Sequence, residues 1–214
     1  MAKRQGAKAR TRCAASGERD GQTPKCRSMC KFLKSAGPAK SSVAEGALER
    51  QAVAMEVQVA TKSDIPAIML MERVEGYARL VGRWDAEQHA TEIENPSSRY
   101  LLAREGADAA GFAILQGVGS ANQCLLLKRI AVRNAGRGVG SSFLRSVLQI
   151  CFDDLAAHRV ELFVFEDNER ACRTYLKTGF VEEGIVRDLH READGNFRSM
   201  RLMSLLRPEW LARG

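Results

Sequence analysis

The sequence predicts an α/β fold of the α+β type: one domain of seven strands with flanking helices. Three observations lead there. Short runs rich in Val, Ile, Leu and Phe recur from residue 55 to residue 205, several joined by Gly- or Asp-containing turns. Between them lie segments whose apolar residues recur at helical spacing. The 214 residues suit one core of ordinary size with an appendage, and no internal repeat or second core is visible.

Taken in order, Met55-Glu-Val-Gln-Val-Ala-Thr alternates as a first strand. Thr61-Lys-Ser-Asp-Ile-Pro offers capping residues to a helix carrying Ile65, Ile68, Met69 and Met71. Asp85 caps a second helix that stops before Pro96. Tyr100-Leu-Leu-Ala-Arg and Ala110-Gly-Phe-Ala-Ile-Leu form a hairpin across Glu105-Gly-Ala-Asp. Leu125 to Val132 is a strongly apolar strand. Ser141 to Ala157 is a helix with Phe143, Leu144, Val147, Leu148, Cys151 and Leu155 on one face. Val160 to Phe165 is a buried strand, and Arg170 to Lys177 is a short helix stopped by Gly179. Strands at roughly 180–188 and 197–205 close the fold around the turn Asp194-Gly195.

Charge divides the chain. The net charge is +7, but residues 1–54 hold twelve of the 33 Lys and Arg and only four of the 26 Asp and Glu. The body, 55–214, is nearly neutral, which speaks against a nucleic-acid-binding fold. Residues 1–54 contain one aromatic residue, Phe32, and no sustained apolar period, so they are expected to be a basic, disordered extension. Three readings of it stay open: a dispensable or misassigned start with Met55 as the working N-terminus, an organellar targeting segment, and a tether to nucleic acid or membrane. No run approaches about 18 apolar residues, so no membrane-spanning helix is expected. The six cysteines form no Cys-x-x-Cys pair and read as free thiols of a reducing, cytoplasmic setting. His89, His158 and His190 are too scattered for a metal set, so no metal is expected.

The most informative segment is Arg133-Asn-Ala-Gly-Arg-Gly-Val-Gly140, between the apolar strand and the helix opening at Ser141-Ser142. Its glycines permit tight turns and close backbone approach. A helix N-terminus offers unpaired N–H groups and partial positive charge, which together suit a pyrophosphate. Arg137, Ser141 and Ser142 add side-chain donors. The run lacks the Gly-Lys-Ser/Thr ending of a nucleotide-hydrolysing loop, and Ser141 breaks the dinucleotide-binding spacing.

About 28 residues past Gly140 comes Asn168-Glu-Arg-Ala-Cys-Arg-Thr-Tyr-Leu-Lys-Thr-Gly-Phe180. With this second motif the chain resembles the GNAT acetyltransferases over roughly residues 56–205, through the glycine-rich turn and Asn168, Ala171, Tyr175, Gly179 and Phe180. The resemblance implies a mixed, mostly antiparallel seven-stranded sheet. It implies acetyl-CoA as co-substrate and an amine acceptor, either a small molecule or a peptide α-amine. Gly138, Val139, Gly140, Ser141, Ser142 and Arg137 would hold the pyrophosphate. Ile130, Ala131 and Val132 would pair with the pantetheine arm like an added strand, Asn168 would hydrogen-bond it, and Tyr175 would protonate the leaving thiolate. Ala135 stands where the family usually carries Gln or Arg, with Arg133 or Arg137 as candidate substitutes. The closing strands and Met-Ser-Leu-Leu-Arg-Pro-Glu-Trp210 look similar to relatives of the ribosomal-protein N-terminal acetyltransferases. Dimers are common in the family, so a homodimer is admitted, although no residue pattern marks an interface.

No general base is evident. Glu72, Glu75, Glu161, Glu166, Asp167, Asp188 and His190 all stay open, as does a water relay. Asn168 also reads as a plain helix cap and Tyr175 as a core aromatic. A reading from another class is a non-catalytic acyl-CoA-binding regulator that reaches nucleic acid through its basic tail.

Overall fold

The computed structural model describes residues 55–77, 79–134 and 138–213. The extension 1–54 and the loop residues Ala135, Gly136 and Arg137 lie outside the described residues. Strand β1 (Glu56–Val59) leads through a tight turn into helix α1 (Ile65–Glu72), then α2 (Ala86–Glu94). A meander follows: β2 (Ser98–Glu105), β3 (Asp108–Gln116) and β4 (Cys124–Val132). Helix α3 (Val139–Gln149) crosses to β5 (Arg159–Phe165), and α4 (Glu169–Thr178) leads to the hairpin of β6 (Val181–Arg191) and β7 (Phe197–Leu206). A five-residue helix, α5 (Arg207–Leu211), ends the described chain.

Among the described residues the strands form one seven-stranded sheet in the order β1-β2-β3-β4-β5-β7-β6. Only the β4–β5 pair is parallel, because α3 carries the chain back across the sheet between them. The mixed, mostly antiparallel sheet expected above is therefore present.

Apolar alternation explains how the layers pack. On one face, Phe143, Leu144, Val147 and Leu148 of α3 join Leu101, Leu115, Leu162 and Met203 of the sheet. On the other, Ile68 and Met71 of α1 pack on Tyr100, Leu102, Phe112 and Ile114. The central strands β2 and β3 are thus buried on both faces, which is why they read as near-continuous apolar runs. Each fully buried Leu or Phe contributes roughly 1.5–3 kcal/mol.

Local signals held where the chemistry is local. Asp85 caps α2 by accepting from the Gln88 N–H (2.8 Å), and Gly179 ends α4 at φ +113°. Three boundaries differ from expectation. Helix α3 begins at Val139, two residues early, because Gly138 in a left-handed conformation turns the chain into it. It leaves α geometry after Gln149 and continues as a wider π turn over Ile150–Asp154, which a 3.6-residue period does not distinguish. Helix α5 is too short to show a period.

One irregularity positions the site. Ile114 pairs with Arg129 and Leu115 with Leu127, so Lys128 is an extra residue in β4. Such a bulge bends a strand and reverses its inside–outside phase. Leu125 and Leu127 accordingly face the α3 core, whereas Ala131 faces the α1 and α2 core.

Candidate active site

The bend carries β4 away from β5. Their pairing ends at Leu126 and Glu161, although β4 runs on to Val132 and β5 to Phe165. The wedge between them opens into two clefts, of ≈ 390 Å³ beside α3 and ≈ 450 Å³ on the β5 side. Five residues line both: Leu80, Val81, Ile130, Asn168 and Tyr175.

The α3-side cleft collects most of the residues expected from the sequence. Ile130, Ala131, Val132 and Gly140 line it together with Asn168 and Tyr175. The Arg133 N–H donates to Ala110 O on β3 (2.7 Å), so by ladder alternation the main-chain groups of Val132 and Ile130 face the wedge. The Val132 carbonyl is already engaged there, accepting from the Tyr77 hydroxyl at 2.9 Å. Tyr77 was not legible as a site residue, because the contact spans 55 positions.

Gly138, at φ +82°, occupies the cap position of α3, and among the described residues no side chain caps that end. The first-turn N–H groups of Val139, Gly140 and Ser141 are thus available to an anion. Ser142 differs: its N–H donates to Gly138 O (3.0 Å), leaving only its exposed hydroxyl for a ligand. Arg137 lies outside the described residues. Arg133 lines the cleft and approaches Asp108 at 4.0 Å.

Asn168 is the helix cap that its position suggested. Its Oδ1 accepts from the Ala171 N–H (3.2 Å), which caps α4. Its amide Nδ2 has no partner among the described residues, and the residue lines both clefts. Tyr175 packs its ring on Phe180 (centroids 5.6 Å apart), so it is also a core aromatic. Burial, with a smaller contribution from Cys172, pushes its phenol well above the usual tyrosine value, so the proton stays on at neutral pH.

The base candidates separate sharply. Glu72 is fully buried beneath β4, accepting from Arg129 Nη1 (3.1 Å) and the Trp84 N–H (3.2 Å), with His89 Nε2 at 3.3 Å. A carboxylate only accepts, so His89 Nε2 is the donor to it, and Nδ1 shares a hydrogen bond with the Tyr100 hydroxyl (3.2 Å). Glu72 is therefore an anchor. Glu161 pairs with Arg159 and exposed Asp167 with Arg198. Glu166 and Asp188 are exposed, and Glu75 lines the α3-side cleft. Of the seven candidates, His190 alone lines the β5-side cleft, its ring edge-on to Phe165 at 5.1 Å.

Comparison with known proteins shows the family. Residues 64–180 match the model of the acetyltransferase (GNAT) family. The chain belongs to that family. It is 44% identical over 48 residues to the L-amino acid N-acetyltransferase AaaT of Escherichia coli (strain K12), covering 22% of this GNAT chain and 30% of that protein. It is 29% identical over 85 residues to the spermidine N(1)-acetyltransferase of Vibrio cholerae, covering 39% and 48% respectively. The chain thus spans less than half the length of the curated relatives it matches. A mutant of spermidine N-acetyltransferase SpeG from Vibrio cholerae has the same fold, with a TM-score of 0.65 at 17% identity over 74% of this chain and 97% of that one. The similarity to ribosomal-protein acetyltransferases expected from the closing strands finds no support among these relatives.

Proposed function

We propose that this chain transfers an acetyl group from acetyl-CoA to a primary amine. The observation that carries this reading is the wedge, where two clefts share Asn168 and Tyr175. One cleft adjoins an uncapped helix N-terminus and exposed strand groups, as a pyrophosphate and its pantetheine arm require. The other mixes apolar side chains with Lys128, Arg129, Asn168 and His190, and suits an acceptor. Membership of the family supports it, and both curated relatives are named for acetylation of an amine.

In this mechanism the N–H groups of Val139, Gly140 and Ser141, with the hydroxyls of Ser141 and Ser142, hold the pyrophosphate. Ile130 and Val132 pair with the pantetheine arm, and Asn168 Nδ2 donates to it. The thioester then lies at the junction beside Tyr175. A main-chain N–H of β4 stabilises the developing oxyanion. His190, directly or through water, takes the proton from the acceptor ammonium, and the free amine attacks the acyl carbon. The new C–N bond forms as the C–S bond breaks, the Tyr175 hydroxyl donates its proton to the leaving sulfur, and the surplus proton on the new amide nitrogen passes through water to the Tyr175 oxygen, which restores the phenol. Burial raises the phenol, and it raises a thiol formed in the same dry site, so transfer between them stays near balance.

The test is release of free thiol from acetyl-CoA across a panel of amines. Tyr175→Phe is expected to lower kcat by roughly 10²-fold while KM for acetyl-CoA changes little. Unchanged turnover would remove Tyr175 from the chemistry. Tight CoA binding without thiol release from any amine would favour the acyl-CoA-binding regulator.

A further inference from the structure

The segment between α1 and α2 runs along the wedge from one cleft to the other. In chain order, Val74 to Tyr77 line the α3-side cleft, Leu80 and Val81 line both, and Gly82 and Trp84 line the β5-side cleft. Both ends of this segment are held. At the first, the Tyr77 hydroxyl donates to Val132 O. At the second, the Trp84 N–H donates to buried Glu72, and the Trp84 carbonyl accepts from Arg73 Nη2 (3.3 Å). The Arg129 guanidinium carbon lies 3.9 Å from the centre of the Trp84 ring. The middle, where the two clefts share residues, has one hydrogen bond to the sheet among the described residues. The Arg79 carbonyl accepts it from Arg198 Nη1 on β7, at 3.0 Å. The N–H groups of Leu80 and Val81 donate back to Tyr77 O, both at 2.9 Å, and so add no tie to the sheet.

Arg198 makes three further contacts. Nη1 also donates to Glu192, just past β6, at 2.9 Å. Nη2 donates to Asp167 at 2.6 Å. The guanidinium carbon lies 3.8 Å from the centre of the Phe165 ring, so the flat face of the cation covers an apolar one. One planar group thus joins four parts of the chain: the segment before α2, the end of β5, the turn into α4 and the β6–β7 hairpin. Each contact adjoins a residue of the candidate site. Arg79 precedes Leu80, Asp167 precedes Asn168, and Phe165 meets the edge of the His190 ring. Asp167 is exposed, so its ion pair with Arg198 is open to water and contributes little to stability by itself. A rigid fork of donors instead fixes directions, which a lysine's single ammonium does not do. Loss of Arg198 therefore falls on the placement of these groups more than on the fold.

We infer that Arg198 is a positioning residue for acetyl transfer: it seats the middle of the Val74–Trp84 segment, the wall that the acceptor meets. This rests on the acetyl-transfer reading, but the seat itself is measurable without turnover. Thiol release by the full-length protein is to be followed with spermidine, leucine, leucinamide and a tripeptide with a free N-terminus, and the kinetics measured on the best of them. Arg198→Met is expected to raise KM for that amine about tenfold and to lower kcat by a few-fold, with KM for acetyl-CoA changed by less than about threefold. Arg198→Lys keeps the charge without the fork and should recover part of the loss. Amide hydrogen exchange over residues 79–84 should be at least about tenfold faster in Arg198→Met. Glu183→Gln is the control for lost stability, because its ion pair with Arg159 lies outside both cleft linings. It should leave that exchange and both KM values unchanged. An unchanged acceptor KM in Arg198→Met overturns the inference, and so does one that rises no more than KM for acetyl-CoA. Exchange over 79–84 no faster than in Glu183→Gln overturns it as well, whatever the activity. If Arg198→Met does not fold, the same comparisons on Arg198→Lys decide. If no amine releases thiol from the unaltered protein and exchange still quickens, acetyl transfer fails and the seat stands.

Discussion

Glycine at position 138 acts where conformation and ligand chemistry meet. At φ +82° it sits in a region that an L-side chain enters only at a cost of about 1–2 kcal/mol, and its carbonyl starts the α3 ladder by accepting from Ser142. Gly138→Ala is expected to destabilise the fold by about 1 kcal/mol and to weaken CoA binding disproportionately, because the first-turn N–H groups would be re-aimed. Urea denaturation and CoA titration of the same variant would check this; a stability loss with unchanged CoA affinity would exclude the loop from the coenzyme site. Asn168 shows why residue identity alone left its role open. Its Oδ1 caps α4 while the residue also lines both clefts, so being a cap does not remove it from the site.

Among the elements, β5, β7 and β6 are tied by a clamp away from the wedge. Arg159 on β5 grips Glu183 on β6 through both guanidinium nitrogens (2.6 and 2.8 Å), and Ser204 on β7 donates to the same carboxylate (2.5 Å). The Arg159 hydrogen bonds, then that of Ser204, hold the Glu183 carboxyl down at about 2. A carboxylate with a depressed folded-state pKa stabilises the fold above its ordinary range and loses that contribution as pH falls through the folded value. Glu183→Gln should therefore lower stability at neutral pH by about 0.5–1 kcal/mol, since the pair is partly solvated. The gap to the unaltered protein should close between about pH 4.5 and about pH 2. Thermal denaturation across that range tests it, and a gap independent of pH would show that the clamp contributes by packing alone.

At the scale of the whole molecule, residues of 55–213 by themselves build a wedge and two cores. A chain beginning at Met55 is expected to unfold within about 2 °C of the full-length protein and to release thiol at a similar rate. Loss of turnover on truncation would give the basic extension a part in the reaction. The candidate site draws on α3, α4, β4, β5, β6 and the segment before α2, so it is gathered from residues 74 to 200 rather than from one stretch of chain. Among the described residues no helix is long and apolar enough to cross a membrane.

The sequence by itself determined what depends on neighbours along the chain. The apolar runs at Tyr100–Leu102 and Phe112–Leu115, the helical stripe of Phe143, Leu144, Val147 and Leu148, the caps Asp85 and Gly179, and the paired motifs around Gly140 and Tyr175 are local patterns, and each was readable as such. The tertiary structure alone decided what depends on phase and distance. A single extra residue, Lys128, reverses which face β4 presents. Alternation would have placed Arg129 beside Leu127 in the α3 core; the bulge sends it instead to Glu72, Trp84 and the cleft. The same bend parts β4 from β5 and opens the wedge, which no periodicity encodes, because a gap between strands is set by pairing that stops rather than by residues that pair.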